Sequence, residues 1–89
     1  MQVDKINELI DHVKKNSDEL VAKGANKKEL QAHVAGLEAE MKKPKPDHGR
    51  LETLLASLET TVEEAEETLA ASGVFRLLNT IFGTGVPSP

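Results

Sequence analysis

The chain contains no cysteine, tryptophan or tyrosine, and two phenylalanines are the only aromatic residues among its 89. Without cysteine, the sequence excludes disulfide bonds, thiolate catalysis and cysteine-based zinc sites. A chain of this length also buries a small hydrophobic core, which alone gives marginal stability. Because association between subunits is a usual remedy where disulfides and metals are missing, the composition favours an oligomer.

Basic residues are scarce in the second half of the chain. Residues 1–50 contain ten Lys or Arg against nine Asp or Glu, a net charge of +1, whereas residues 51–89 contain one Arg against six Glu, a net charge of −5. Such an acidic surface repels phosphate, so we expect no nucleic-acid partner. The charged start, Met1-Gln2-Val3-Asp4-Lys5, lacks the apolar core of a secretory signal, and we expect a cytoplasmic protein.

Apolar residues at helical spacing predict two helices in the first half of the chain. The first stripe consists of Val3, Ile6, Ile10, Val13 and Leu20. It predicts an amphipathic helix over about residues 3–22. Asn26 is placed to cap a second helix over about residues 27–42. That helix cannot pass Lys43, because the residue before a proline is pushed out of the α region.

A basic segment with two prolines, Lys42-Lys43-Pro44-Lys45-Pro46-Asp47, separates the two halves of the chain. The prolines hold this segment extended, and Asp47 is placed to cap the helix that follows. We therefore expect the chain to reverse here, so that the helices on either side pack antiparallel to each other.

The third predicted helix has the clearest pattern, a heptad repeat with apolar residues at alternating four- and three-residue spacings. The repeat consists of Leu51, Leu55, Leu58, Val62, Ala65 and Leu69. It predicts a helix over residues 48–72 that extends about 10 Å beyond the second helix. No lysine at a g position can pair with the glutamates at the e positions, so a parallel coiled-coil dimer is disfavoured. The lysines of the first two segments favour a bundle instead.

The last segment, residues 74–82, is short and strongly apolar and predicts a fourth helix. The glycines and prolines after it predict a flexible tail over residues 83–89. The expected fold is therefore all-α, with a single domain over residues 1–82. It is an antiparallel bundle of three main helices plus a short C-terminal apolar helix, and it is expected to oligomerise.

No group of residues predicts catalysis. Glu8 and His12 lie four residues apart, as do Glu29 and His33, but carboxylate-bridged metal sites in bundles use a three-residue spacing and more carboxylates. The glycines of Gly83-Thr84-Gly85-Val86 lack the lysine and the following helix of a phosphate loop. We therefore expect no catalytic residue, no cofactor and no metal.

Several short runs resemble the C-terminal helical modules of uncharacterised bacterial and mobile-element proteins. They are Glu38-Ala39-Glu40 with Lys43-Pro44-Lys45-Pro46-Asp47, then Leu54-Leu55-x-x-Leu58, then Ala70-Ala71-Ser72-Gly73. The resemblance covers about residues 26–82. It implies a bacterial or phage origin and a role in association, and it implies no catalytic residue.

The function predicted from the sequence is a non-enzymatic helical module for protein interaction and self-association. One alternative is a small peripheral or membrane-active protein that docks on a bilayer through residues 74–82. Another is a regulatory subunit, comparable to an antitoxin or immunity factor, that binds a second protein. The predicted interaction residues are Leu51, Leu55, Leu58, Val62, Leu69, Val74, Phe75, Leu78, Ile81 and Phe82.

Overall fold

A computed structural model describes residues 2–83 of the chain, and these residues form four α-helices and no strand. The helices are α1 (Asp4–Ala22), α2 (Lys27–Met41), α3 (His48–Glu63) and α4 (Leu69–Phe82). The all-α prediction is confirmed, and α1 and α2 lie within one residue of their predicted limits. Of the predicted tail, residues 84–89 lie outside the described residues.

The turn between α1 and α2 depends on a glycine and an asparagine. Gly24 has a φ of +122°, a conformation that side chains with a Cβ rarely adopt. A Cβ at Gly24 would also lie 2.8 Å from the carbonyl oxygen of Glu64, which belongs to the turn between α3 and α4. Asn26 caps α2 as predicted, since its side chain accepts a hydrogen bond from the Glu29 N–H at 3.0 Å.

The turn between α2 and α3 is closed by a glutamate that the sequence patterns did not single out. Asp47 caps α3 as predicted, accepting from the Arg50 N–H at 3.2 Å. The Glu40 side chain is 2% exposed, and its Oε2 accepts from the Asp47 N–H at 2.9 Å. Its Oε1 accepts from Lys43 Nζ at 3.1 Å. The Glu40 carboxylate, in the last turn of α2, therefore binds the backbone of Asp47, the residue immediately before α3.

These contacts lower the pKa of Glu40 below its ordinary value of 4.5, first through the Asp47 N–H and then through Lys43. Since the folded pKa is depressed, the carboxylate stabilises the fold above pH 4.5 and loses this effect as the pH falls through the folded pKa. We expect Glu40→Gln to lower the melting temperature at pH 7 and to reduce the loss of stability between pH 7 and pH 3. Thermal melts followed by circular dichroism across that range measure both effects.

Glu52→Gln is the matched control, because Glu52 is exposed on α3 and makes none of these contacts. The control is expected to melt like the unaltered chain at each pH. If the melting temperature of Glu40→Gln fell as much between pH 7 and pH 3 as that of the unaltered chain, the role given to this carboxylate would be contradicted.

The prediction of one helix over residues 48–72 is wrong, because α3 ends at Glu63 and α4 begins at Leu69 rather than at residue 74. Glu63 and Glu64 stand at the negative end of the helix dipole, where acidic residues destabilise a helix. The turn that follows is tight, with the N–H of Ala65 donating to the carbonyl of Val62 at 2.8 Å. Thr68 then caps α4 by accepting from the Ala71 N–H at 3.0 Å.

The predicted extension of helix three beyond helix two therefore does not form. Ala65, expected on the extension, is buried in the turn, while Leu69 is 87% exposed at the start of α4. Ser72-Gly73, expected to end a helix, lies inside α4. A Cβ at Gly73 would lie 2.5 Å from the ring of His12 on α1, so a larger residue there would displace that ring.

The core runs through all four helices. The N-terminal helix α1 packs against α4 and α2, and α3 packs against α2 and α4. The backbone N–H of Gln2 donates to the carbonyl of Ile81 at 2.6 Å, so the start of α1 lies beside the end of α4. The Asn26 N–H donates to Glu64 Oε1 at 3.3 Å, which joins the α1–α2 turn to the α3–α4 turn. These contacts bring both turns to the same end of the molecule.

Candidate functional site

Seven of the ten predicted interaction residues are buried among the chain's own helices. These are Leu51, Leu55, Leu58 and Val62 of α3 and Val74, Leu78 and Ile81 of α4. Each is at most 3% exposed, so its apolar surface already contacts the core of the same chain. An interface made by these side chains would require the helices to separate.

The other three predicted interaction residues are more accessible. Phe75 is half-buried against the core, Phe82 is 41% exposed, and Leu69 is 87% exposed. Leu69 and Phe82 lie at opposite ends of α4, so they do not form one continuous apolar surface. The structure thus divides the predicted set into core residues and two separate exposed side chains.

A groove between α1 and α2 has a floor made of apolar side chains from both helices. Its volume is about 440 Å³, within the range of about 300 to 1,000 Å³ typical of ligand-binding clefts. Val13 and Val21 of α1 line one side, and Leu30 and Val34 of α2 line the other. Val13, Leu30 and Val34 are buried and therefore held in place by the core, whereas Val21 is half-buried and is the accessible part of the floor.

Charged and polar side chains form the edges of this groove. Lys14 and Asp18 stand on the α1 side and Lys27 on the α2 side. Lys14 Nζ lies 3.0 Å from Glu38 Oε2, an ion pair that links α1 to α2 at one end of the groove. Lys27 is the first residue of α2, where the helix dipole adds partial positive charge. Asp18 is the one acidic residue among those lining the groove.

The histidines considered as metal ligands are separated by the fold. His12 Nε2 donates to the carbonyl of Ala70 at 2.9 Å and so helps to hold α1 against α4. The other pair lies on α2, where Glu29 accepts from Thr61 Oγ1 at 3.4 Å. Within residues 2–83, no three His, Asp or Glu side chains come together in a way that could hold a metal ion.

Sequence patterns pointed to the heptad helix rather than to this groove. The apolar stripe of the first helix includes Val13, but periodicity within one helix does not show how far apart two helices pack. The sequence feature that points to the groove is Val21, which lies beside the apolar stripe of α1. It makes that stripe wider than the surface that one neighbouring helix covers.

Comparison with known proteins returns no match to the chain among protein-family models, curated proteins or solved structures. Across the described residues, none of the four helices combines the length and the apolar composition required to cross a bilayer.

Proposed function

We propose that this chain is a non-enzymatic helical interaction module and that the groove between α1 and α2 is its binding surface. The observation that carries the proposal is the apolar floor of Val13, Val21, Leu30 and Val34 between charged edges. An apolar floor with polar edges is the arrangement with which a helical surface receives apolar side chains of a protein partner. The bundle that presents the groove is proposed to be antiparallel.

The partner expected from the charges is an apolar segment with acidic residues beside it. Lys14 and Lys27 stand opposite one acidic residue, Asp18, along the groove, and Lys14 is already paired with Glu38. Lys27 and the start of α2, where the helix dipole adds partial positive charge, therefore supply most of the attraction for an acidic segment. Acidic flanks would meet these lysines while leucine-like side chains reach the floor. The edges then give orientation and selectivity, and the floor supplies most of the affinity.

Burial in α4 argues for this surface over a membrane-docking one. Val74, Leu78 and Ile81 are packed inside the chain, so docking through residues 74–82 would require α4 to leave the core. The groove needs no such rearrangement at Val21, which is half-buried and accessible, while Val13, Leu30 and Val34 lie buried beneath it.

Selection of peptides from a displayed library, followed by NMR titration of the selected peptide, tests the proposal. We expect enrichment of peptides with apolar residues three or four positions apart and acidic flanks. Their binding should shift the amide signals of Val13, Val21, Leu30 and Val34. Val21→Glu, which places a negative charge in the groove, is expected to weaken binding about tenfold or more.

Ala35→Glu is the matched control, since Ala35 is exposed on α2 and does not line the groove. Both variants add the same charge, and circular dichroism melts establish that both remain folded. The proposal fails if the selected peptides shift signals on α3 or α4 instead, or if the two variants lose affinity equally.

A further inference from the structure

A second apolar feature lies on the surface, at the corner where α4 begins. We name Glu66, Glu67 and Leu69 the acidic corner. Leu69 is 87% exposed, and both glutamates are exposed beside it. Single exposed leucines are common on protein surfaces, so exposure alone indicates nothing. The distinguishing features of this leucine are its rigid support and the charges that flank it.

The support comes from Thr68, which is buried and fully bonded. Its Oγ1 donates to the carbonyl of Ala65 at 2.9 Å and accepts from the N–H of Ala71 at 3.0 Å. Leu69 therefore projects from a fixed turn at the beginning of a helix. A side chain held in this way loses little conformational entropy when it binds.

The acidic corner and the groove between α1 and α2 are complementary. The groove has an apolar floor with Lys27, Asp18 and Lys14 at its edges, Lys14 being paired with Glu38, and the corner has an apolar side chain and two glutamates. Lys27, at the positive end of the α2 dipole, is the main basic group for the glutamates to meet. The net charge is −5 after residue 50 and +1 before it, so the two surfaces belong to halves of opposite net charge. With Leu69 87% exposed, the corner does not occupy the groove of its own chain.

We infer that the occupant of the groove is the acidic corner of a second copy of this chain. Leu69 of one copy inserts between α1 and α2 of the next, and Glu66 and Glu67 lie against Lys27 and Lys14. This inference rests on the proposed function, because it names the partner of the same groove. Two different surfaces meet in such a contact, so the copies associate head to tail, as an open chain or a closed ring.

Sedimentation velocity over a wide range of protein concentration tests the inference. The mass is expected to rise with concentration for the unaltered chain, and to rise less at high salt because the corner charges are screened. Leu69→Ser removes the inserted side chain and Val21→Glu blocks the groove. Each is expected to weaken association about ten- to a hundredfold, since burial of one leucine accounts for an effect of this order.

Mixing the two variants gives the sharpest result. Leu69→Ser keeps an intact groove and Val21→Glu keeps an intact corner, so the mixture should form a one-to-one complex that grows no further. Phe82→Ser is the matched control for Leu69→Ser, because it removes the other large apolar side chain that is exposed within residues 2–83. This control is expected to associate like the unaltered chain.

Three outcomes would overturn the inference. They are a monomer at every concentration, an association insensitive to Leu69→Ser, and a failure of the two variants to complement each other. The proposed function still stands after any of these outcomes if Val21→Glu weakens the binding of selected peptides about tenfold or more while Ala35→Glu does not. Loss of that peptide result would overturn the proposed function itself.

Discussion

Replacing Leu58 with aspartate is expected to remove most of the stability of the fold at 25 °C. Leu58 lies at the centre of α3, its exposure is 0%, and the core formed by the four helices surrounds it. The substitution removes a buried apolar side chain and places a carboxylate where no hydrogen-bond partner is available. Together these effects cost about 3 to 5 kcal/mol or more, against a total stability of about 5 kcal/mol for a domain this small. Circular dichroism and thermal melts measure the result.

Ala56→Asp is the matched control because Ala56 lies on the exposed side of the same helix. It introduces the same carboxylate, and its expected cost of about 0.5 to 1 kcal/mol comes from helix propensity and nearby glutamates. A folded Leu58→Asp variant with an unchanged melting curve would mean that α3 does not present Leu58 to the core. Equal losses in the two variants would assign the effect to charge alone.

The sequence was sufficient for those elements whose boundaries depend on local chemistry. Asn26 and Asp47 cap α2 and α3 because each can accept a hydrogen bond from an N–H three residues later, a rule that needs no tertiary contact. The apolar stripes placed Leu51, Leu55 and Leu58 on one face, and all three are buried. Whether these leucines pack within one chain or between two chains depends on which helices contact each other. The spacing of apolar residues along one helix does not determine those contacts.

The break at residues 64–68 was missed because the heptad spacing continues through it. Ala65 and Leu69 keep the apolar register, yet only Ala65 is buried. Two local signals opposed the register: glutamates at the end of a helix and a threonine that can cap the next one. Apolar periodicity predicts a continuous helix here, whereas these end effects predict a break. Recognising Thr68 as a cap would have moved the start of α4 to Leu69, where the structure has it.

The role of Glu40 and the groove between α1 and α2 could not be predicted for a different reason. Glu40 is on the last turn of α2, and its bond to the Asp47 N–H spans seven residues across two prolines. The groove forms between α1 and α2, which contact each other less extensively than α1 contacts α4 or α2 contacts α3. Both features depend on distances between elements, which a pattern within one element does not contain.

The turn at Gly24 is expected to be the second most sensitive position. Alanine there must adopt a φ of +122°, and its Cβ would lie 2.8 Å from the carbonyl oxygen of Glu64. That oxygen belongs to the backbone of the α3–α4 turn, so it cannot move aside as a side chain could. We expect Gly24→Ala to cost about 2 to 4 kcal/mol, measured by urea unfolding at pH 7.

Gly83→Ala separates backbone strain from the contact with the second turn. Gly83 also has a positive φ, +78°, but a Cβ there would have no atom within 4 Å. It is therefore expected to cost only the strain, about 1 kcal/mol. A larger loss at Gly24 means that the two turns are in contact in solution, and this contact holds the acidic corner at the same end of the molecule as the first turn of α2. Equal losses would mean that the Glu64 carbonyl contributes nothing and that the corner is positioned by α4 alone.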